Sequence, residues 1–134
     1  MQQKLSDSNE FDGLLILTIG EVLRDSMGDL NAQIIFEYLE KRSCPMQETP
    51  KKLDIFSIEL RRLLGGNRGQ LLGSAAILEE TIAKVLCFKL GVKFDERLPI
   101  VFPNCMGKLR QIFCAKKPIM FAKISLNGNG GEKD

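Results

Sequence analysis

The sequence predicts an all-α fold: four main helices in an antiparallel bundle, a short fifth helix and an irregular C-terminal arm. Four successive segments carry apolar residues at the three- and four-residue spacing of helices with one buried face. Glycine or proline follows each segment, and both residue types end helices. The connections between the segments are short and polar, which favours antiparallel neighbours.

The first predicted helix is opened by Ser6 or Ser8 and ends near Gly28. Asp29 then has the position of an N-cap, with its carboxylate accepting hydrogen bonds from free amides of the next turn. The second helix ends at the Cys44-Pro45 pair, because proline disfavours a helical conformation in the residue before it. The inward stripes are Phe11, Leu15, Ile19, Val22 and Leu23 in the first helix, and Leu30, Ile34, Ile35 and Tyr38 in the second.

Thr49 followed by Pro50 predicts the start of the third helix, since a hydroxyl cap and a proline at the first helical position are typical of helix N-termini. Gly65 ends it. The predicted inward stripe is Leu53, Phe56, Leu60, Leu63 and Leu64, and the predicted solvent face is Asp54, Glu59, Arg61 and Arg62. Leu17, Ile55, Ile58 and Ile77 lie off the predicted core faces of their helices.

The fourth helix is predicted over residues 70–90 and is stopped by Gly91. Its inward stripe is Leu71, Ala75, Leu78, Ile82, Val85 and Lys89. Beyond it, Asn104 is the predicted cap of a short helix over residues 106–114, and Pro118 separates that helix from a strand or extended arm. These patterns predict a helical domain over residues 1–94 and a basic C-terminal extension with a flexible tail over residues 95–134.

The chain contains no histidine, which removes the commonest general base and the commonest metal ligand. We therefore predict no catalytic residue, no cofactor and no metal site. The glycine-rich residues 65–73 lead into a helix as a phosphate-binding loop does, but they lack the Gly-Lys-Ser/Thr ending. A turn between helices is the favoured interpretation. The acidic pair Glu37 and Glu40 likewise fits a solvated helix face better than a cation site.

Four cysteines are present, and none belongs to a Cys-x-x-Cys pair. Cys87 fits the pattern of a structural thiol and is expected to be buried on the fourth helix. Cys105 and Cys114 have an alternative interpretation as a redox pair or a modification site, because lysines follow Cys114 and favour a thiolate. The chain has no apolar run long enough to cross a bilayer, so a cytoplasmic location without membrane contact is expected.

Charge is distributed unevenly along the chain. Residues 1–50 hold four basic and nine acidic groups, and residues 104–124 hold five basic groups and no acid. That basic segment fits a solvated face, a surface for nucleic-acid phosphates, or a surface that binds the acidic first fifty residues of the same chain or a neighbour. The candidate contact residues for nucleic acid or a partner are Lys108, Arg110, Lys116, Lys117 and Lys123.

A family resemblance spans roughly residues 14–94. It is carried by Phe36-Glu-Tyr-Leu-Glu-Lys, by Leu53-x-x-Phe56-x-x-x-Leu60-x-x-x-Leu64-Gly65, by Ala76-Ile-Leu-Glu79 with Ile82, and by Lys89-Leu90-Gly91-Val92-Lys93-Phe94. This pattern resembles the archaeal family called the Nitrosopumilus output domain. The resemblance implies a helical output module of archaeal signalling proteins, without catalytic residues. We therefore expect a non-enzymatic interaction module that forms homo-oligomers or binds a protein partner, with nucleic-acid binding through residues 104–124 as the alternative.

Overall fold

The computed structural model describes the backbone of residues 2–65, 74–95 and 100–128, and the side chains of residues 9–65, 75–95 and 100–115. Those residues form five α-helices and one 3₁₀-helix, and no strand. The elements are α1 (Gln2–Met27), α2 (Asp29–Lys41), the 3₁₀-helix (Met46–Lys51), α3 (Leu53–Leu64), α4 (Ser74–Leu90) and α5 (Phe102–Gly128). The prediction of an all-α fold is confirmed.

Helix α1 buries the whole of its predicted inward stripe. It begins before Ser6 and Ser8, so neither serine opens it. Gly28 alone joins α1 to α2, and its φ of +90° is a conformation that favours glycine. Asp29 is the first residue of α2 rather than its N-cap, and no side-chain hydrogen bond caps the helix. The Asp29 carboxylate still lies in the first turn, where the helix dipole favours a negative charge.

Helix α2 buries a different stripe from the predicted one. Ala32, Ile35 and Leu39 face the core, whereas Leu30 is 75% exposed and Ile34 is 50% exposed. Both stripes have helical spacing, so periodicity alone does not decide which of them faces the core. The prediction was correct for Ile35 and wrong for Leu30 and Ile34.

The Thr49-Pro50 pair does not start α3. Both residues are buried inside the 3₁₀-helix, and α3 begins only at Leu53. The Thr49 hydroxyl donates to the carbonyl of Pro45 (3.1 Å) and lies 3.6 Å from the sulfur of Cys44. The hydroxyl therefore stabilises the preceding turn rather than capping the following helix.

Helix α3 buries Phe56 and Leu60 as predicted, but Glu59 is also buried. The Glu59 carboxylate accepts a hydrogen bond from the hydroxyl of Tyr38 on α2 (3.0 Å) and one from Arg62 (2.8 Å). Burial of a charged group requires such partners. A partner 21 residues away on another helix is not visible in the local pattern, which is why the prediction of a solvent-facing Glu59 was wrong.

Helix α4 is described from Ser74, and residues 66–73 of the glycine-rich loop lie outside the described part of the chain. Its predicted stripe is buried at Ala75, Leu78 and Ile82. Gly91 ends the helix with a φ of +71°, which allows the amide of Val92 to reach back to the carbonyl of Cys87 (2.8 Å).

Helix α5 replaces both the short helix and the irregular arm of the prediction. It runs without a break through residues 106–114, Pro118 and residues 119–126. Pro103 lies in its first turn, where a missing N–H is tolerated, so Asn104 is inside the helix and does not cap it. At Pro118 one backbone donor is missing, and the helix continues on both sides.

The flexible tail was predicted from Asn127 onward, and the structure contradicts this prediction at its first two residues. Asn127 and Gly128 belong to α5, and residues 129–134 lie outside the described residues.

All five α-helices contribute to one hydrophobic core, represented by Phe11 (α1), Leu39 (α2), Phe56 (α3), Ile82 (α4) and Phe102 (α5). The Phe102 ring lies 5.6 Å from the Phe56 ring, centroid to centroid. Helix α1 contacts α2, α4 and α5, and α3 contacts α2, α4 and α5. The core therefore extends beyond residue 94 into the first half of α5.

Candidate functional site

Arg110, one of the predicted contact residues, is bound within its own chain. Its guanidinium pairs with the carboxylate of Asp12 on α1 (2.5 Å), lies over the ring of Phe11 (4.9 Å) and donates to the carbonyl of Pro50 (3.5 Å). The same Asp12 oxygen is buried and accepts no hydrogen bond of regular geometry from the described residues. The ion pair with Arg110 therefore offsets the cost of burying its negative charge. Arg110 therefore holds α5 against the acidic N-terminal part of the chain.

The other predicted contact residues fall into two groups. Lys108 is exposed on the first half of α5. Lys116, Lys117 and Lys123 belong to the second half of α5, where the side chains lie outside the described residues, so their contacts stay a prediction.

A pocket of about 380 Å³ lies between the C-terminal end of α4, the segment that follows it, and the first half of α5. Its apolar lining is Val92, Phe94, Ile100, Val101, Leu109 and Ile112. Val101 is 61% exposed, so apolar surface extends from the pocket to the outside. Pockets of this size and character are typical of sites for ligands or for apolar side chains of a partner.

Two lysines give this pocket a positive rim. Lys93 and Lys108 both line it, both are exposed, and neither has an acidic partner among the described residues. Asp95 also lines the pocket, but it already interacts with another residue. Unpaired positive charges around an apolar floor attract groups that combine apolar and acidic character. We call this feature the basic-rimmed pocket.

Two of the four thiols, Cys87 and Cys105, line the same pocket. Burial raises the pKa of the Cys87 thiol above its ordinary value, and the neighbouring Cys105 raises it further. Burial also raises the pKa of Cys105, although Lys108 acts in the opposite direction. Both thiols are therefore protonated near neutral pH, which disfavours nucleophilic chemistry at Cys105. Cys114 is half-buried and is not among the residues that line the pocket.

We expect iodoacetamide to alkylate Cys44 and Cys87 slowly at pH 7 in the folded protein. The thiolate is the reactive form, and burial raises the pKa of Cys44 as well, against a smaller opposite effect of its hydrogen bond with Thr49. Timed labelling followed by mass spectrometry measures the rates. Labelling in guanidinium chloride is the control, because unfolding should bring all thiols to the same rate. Equal rates in the folded protein would contradict the burial of these thiols.

The outer face of α2 is a second unusual surface. Leu30 and Ile34 are exposed one turn apart, with Asp29 beside Leu30 and Glu37 one turn beyond Ile34. Neither carboxylate has a cationic partner among the described residues, and Glu37 accepts a hydrogen bond from Gln33 (3.2 Å). These four residues, Asp29, Leu30, Ile34 and Glu37, are called the α2 outer face below.

Sequence reasoning found only part of these two surfaces. It singled out Lys108 but not Lys93, because the basic segment was taken to begin at residue 104. It placed Leu30 and Ile34 in the core. The prediction that Leu17, Ile55, Ile58 and Ile77 lie off the core faces is confirmed, with exposures of 54%, 37%, 51% and 51%.

Two further ion pairs join neighbouring helices. Lys89, predicted to align with the inward stripe of α4, donates to the carboxylate of Glu21 (2.7 Å) and to the hydroxyl of the buried Thr18 (3.1 Å). Glu79 is buried and paired with Arg61 (3.0 Å). These contacts join α4 to α1 and to α3, so they help to hold the three helices together.

No protein-family model, curated protein or solved structure matches the chain. The described residues contain no group of three or more cysteine, aspartate or glutamate side chains arranged to hold a metal ion. None of the described helices combines the length and apolar character needed to cross a membrane.

Proposed function

We propose that the chain is a non-enzymatic helical interaction module that binds protein partners, including further copies of itself, through the α2 outer face. The exposure of Leu30 and Ile34 carries this proposal, because the opposite side of the same helix already supplies Ala32, Ile35 and Leu39 to the core. Large aliphatic side chains that are exposed together and rimmed by polar residues mark surfaces that another protein covers.

The scaffold for this surface is proposed to be an antiparallel bundle of α1, α2, α3 and α4. Contacts between α1 and α2, α2 and α3, α3 and α4, and α4 and α1 support such a ring of four helices. The hydrogen bond between Tyr38 and Glu59 helps to fix the rotation of α2, and thereby keeps Leu30 and Ile34 on the outside.

The sequence resemblance adds a proposed biological context, that of a signal-output module in an archaeal-type regulatory protein. The complete absence of histidine supports a role without catalysis, because many acid–base and metal-dependent mechanisms need that residue.

Replacing both Leu30 and Ile34 with serine is expected to weaken self-association on the order of a hundredfold or more, because each buried aliphatic side chain contributes about 1.5–3 kcal/mol. Light scattering coupled to size-exclusion chromatography over a range of concentrations measures this change. Ile77→Ser is the matched control, since Ile77 is 51% exposed, as Ile34 is 50% exposed, but lies on α4. Circular dichroism verifies that both variants fold.

Two results would contradict the proposal. One is a wild-type chain that remains monomeric at all concentrations. The other is equal loss of association in the Ile77→Ser control, which would mean that general surface hydrophobicity rather than the α2 outer face drives assembly.

Nucleic-acid binding through residues 104–124 is the weaker proposal. Lys108 is exposed and supports it. Arg110 opposes it, because its charge is already matched by Asp12. A guanidinium engaged in this way would have to break an ion pair before it contacted a phosphate.

A further inference from the structure

We infer that the basic-rimmed pocket of one copy receives the α2 outer face of a second copy, so that the chain associates head to tail. This inference rests on the proposed function, since it uses the same α2 surface and adds the surface that binds it. The partner is thereby identified as another copy of this chain, and the contact is between two different patches.

The two surfaces match in their apolar parts. Leu30 and Ile34 project from one helix within a single turn of each other, which makes a compact pair of aliphatic side chains. The pocket floor consists of aliphatic and aromatic side chains, including Ile100 and Leu109. An apolar cavity of about 150 Å³ already holds a benzene molecule. A pocket of about 380 Å³ therefore has room for the ends of two aliphatic side chains.

The two surfaces also match in charge. Lys93 and Lys108 on the pocket rim lack acidic partners among the described residues, and Asp29 and Glu37 on the α2 outer face lack cationic partners there. Contact between the surfaces would bring these two lysines to these two carboxylates. Such complementarity sets the orientation of a complex and speeds its formation.

The contact cannot form within one chain in the observed fold. Among the described residues, α2 contacts α1, the 3₁₀-helix and α3, and contacts neither α4 nor α5, which form the pocket. A second copy must therefore supply the α2 outer face. An interface between two different patches leaves one of each patch free at the ends, so association continues beyond the dimer unless the subunits close into a ring.

Mixing two variants tests this arrangement directly. The first variant, Leu30→Ser with Ile34→Ser, has an intact pocket. The second, Lys93→Glu with Lys108→Glu, has an intact α2 outer face. Each variant alone is expected to be largely monomeric. The apparent Kd should rise on the order of a hundredfold or more for the first variant and on the order of tenfold or more for the second. An equimolar mixture is expected to form a dimer with one copy of each variant, because one productive pair of surfaces remains.

Light scattering gives the mass of the mixture, and isotope labelling of one variant gives its composition by native mass spectrometry. Lys51→Glu, which changes an exposed lysine outside the pocket lining, is the control and should associate as the wild type does. Formation of the mixed dimer also shows that both variants are folded.

Three results would overturn the inference. If the first variant loses association but the second keeps it, the α2 outer face binds elsewhere and only the proposed function survives. If both variants lose association and their mixture stays monomeric, the two patches do not bind each other. If the second variant alone loses association, the proposed function fails together with the inference.

Discussion

The Phe102→Ala variant is expected to lose about 3–5 kcal/mol of its free energy of unfolding, the usual cost of removing a buried aromatic ring. A domain of this size is commonly stable by about 5–15 kcal/mol, so the loss is a large fraction of the total. Phe102 is 1% exposed, and its ring packs at 5.6 Å from Phe56. Truncation opens a cavity between α3 and α5 that the surrounding side chains fill only in part.

The matched control for this prediction is Phe88→Ala. Phe88 is 85% exposed on α4, so its removal should change the stability by no more than about 0.5 kcal/mol. Urea denaturation followed by circular dichroism measures both variants. This comparison also tests the predicted boundary after residue 94. If residues 95–134 were an extension outside the core, Phe102→Ala would change the free energy of unfolding as little as Phe88→Ala does.

The inward stripe of α1 and the stops at Gly28 and Gly91 could be predicted from the sequence because they depend on local information. A helix that touches the core along one face repeats its apolar residues at one period, as Phe11 and Leu15 show. Gly28 and Gly91 have a positive φ, a backbone conformation that glycine adopts more readily than other residues, so their positions are also set by local structure. Where a single face and a single period exist, the pattern determines the structure.

The features that escaped prediction depend on partners far away in the sequence. Helix α2 carries two apolar stripes, and its rotation is fixed by contacts such as the hydrogen bond between Tyr38 and Glu59. Helix α5 continues through Pro118, although proline usually ends or kinks a helix. Local sequence patterns therefore predict the rotation of α2 and the length of α5 poorly.

In the candidate site, too, local sequence predicted some residues, and contacts between distant segments determined the others. Lys108 was found because it lies in a segment of uniform charge, but its counterpart Lys93 lies 15 positions earlier, beyond the end of α4. Only the packing of α5 against α4 brings the two lysines to one pocket. Arg110, which the charge pattern grouped with Lys108, is instead paired with Asp12. Charge along the sequence therefore indicated the region but not the individual residues.

The Arg61→Ala variant is expected to lose about 3 kcal/mol of its free energy of unfolding. Arg61 binds both carboxylate oxygens of Glu79, at 3.0 and 3.3 Å, and the Glu79 side chain is only 1% exposed. Removing the guanidinium leaves a buried negative charge without compensation, which typically costs about 3–5 kcal/mol. We expect the lower end of that range because the Arg61 side chain is 41% exposed, so water can replace part of the lost interaction.

Arg62→Ala is the matched control, since Arg62 also pairs with a carboxylate of this region at 2.8 Å but is 62% exposed. Its partner Glu59 keeps the hydrogen bond from Tyr38, so the loss should stay below about 1 kcal/mol.

Replacing Arg61 and Glu79 together with leucine should recover most of the stability, because no buried charge then remains. Chemical denaturation of the three variants distinguishes the effects. Equal stability of Arg61→Ala and Arg62→Ala would show that Glu79 finds compensation without Arg61, and the buried pair would then not be what holds α3 to α4.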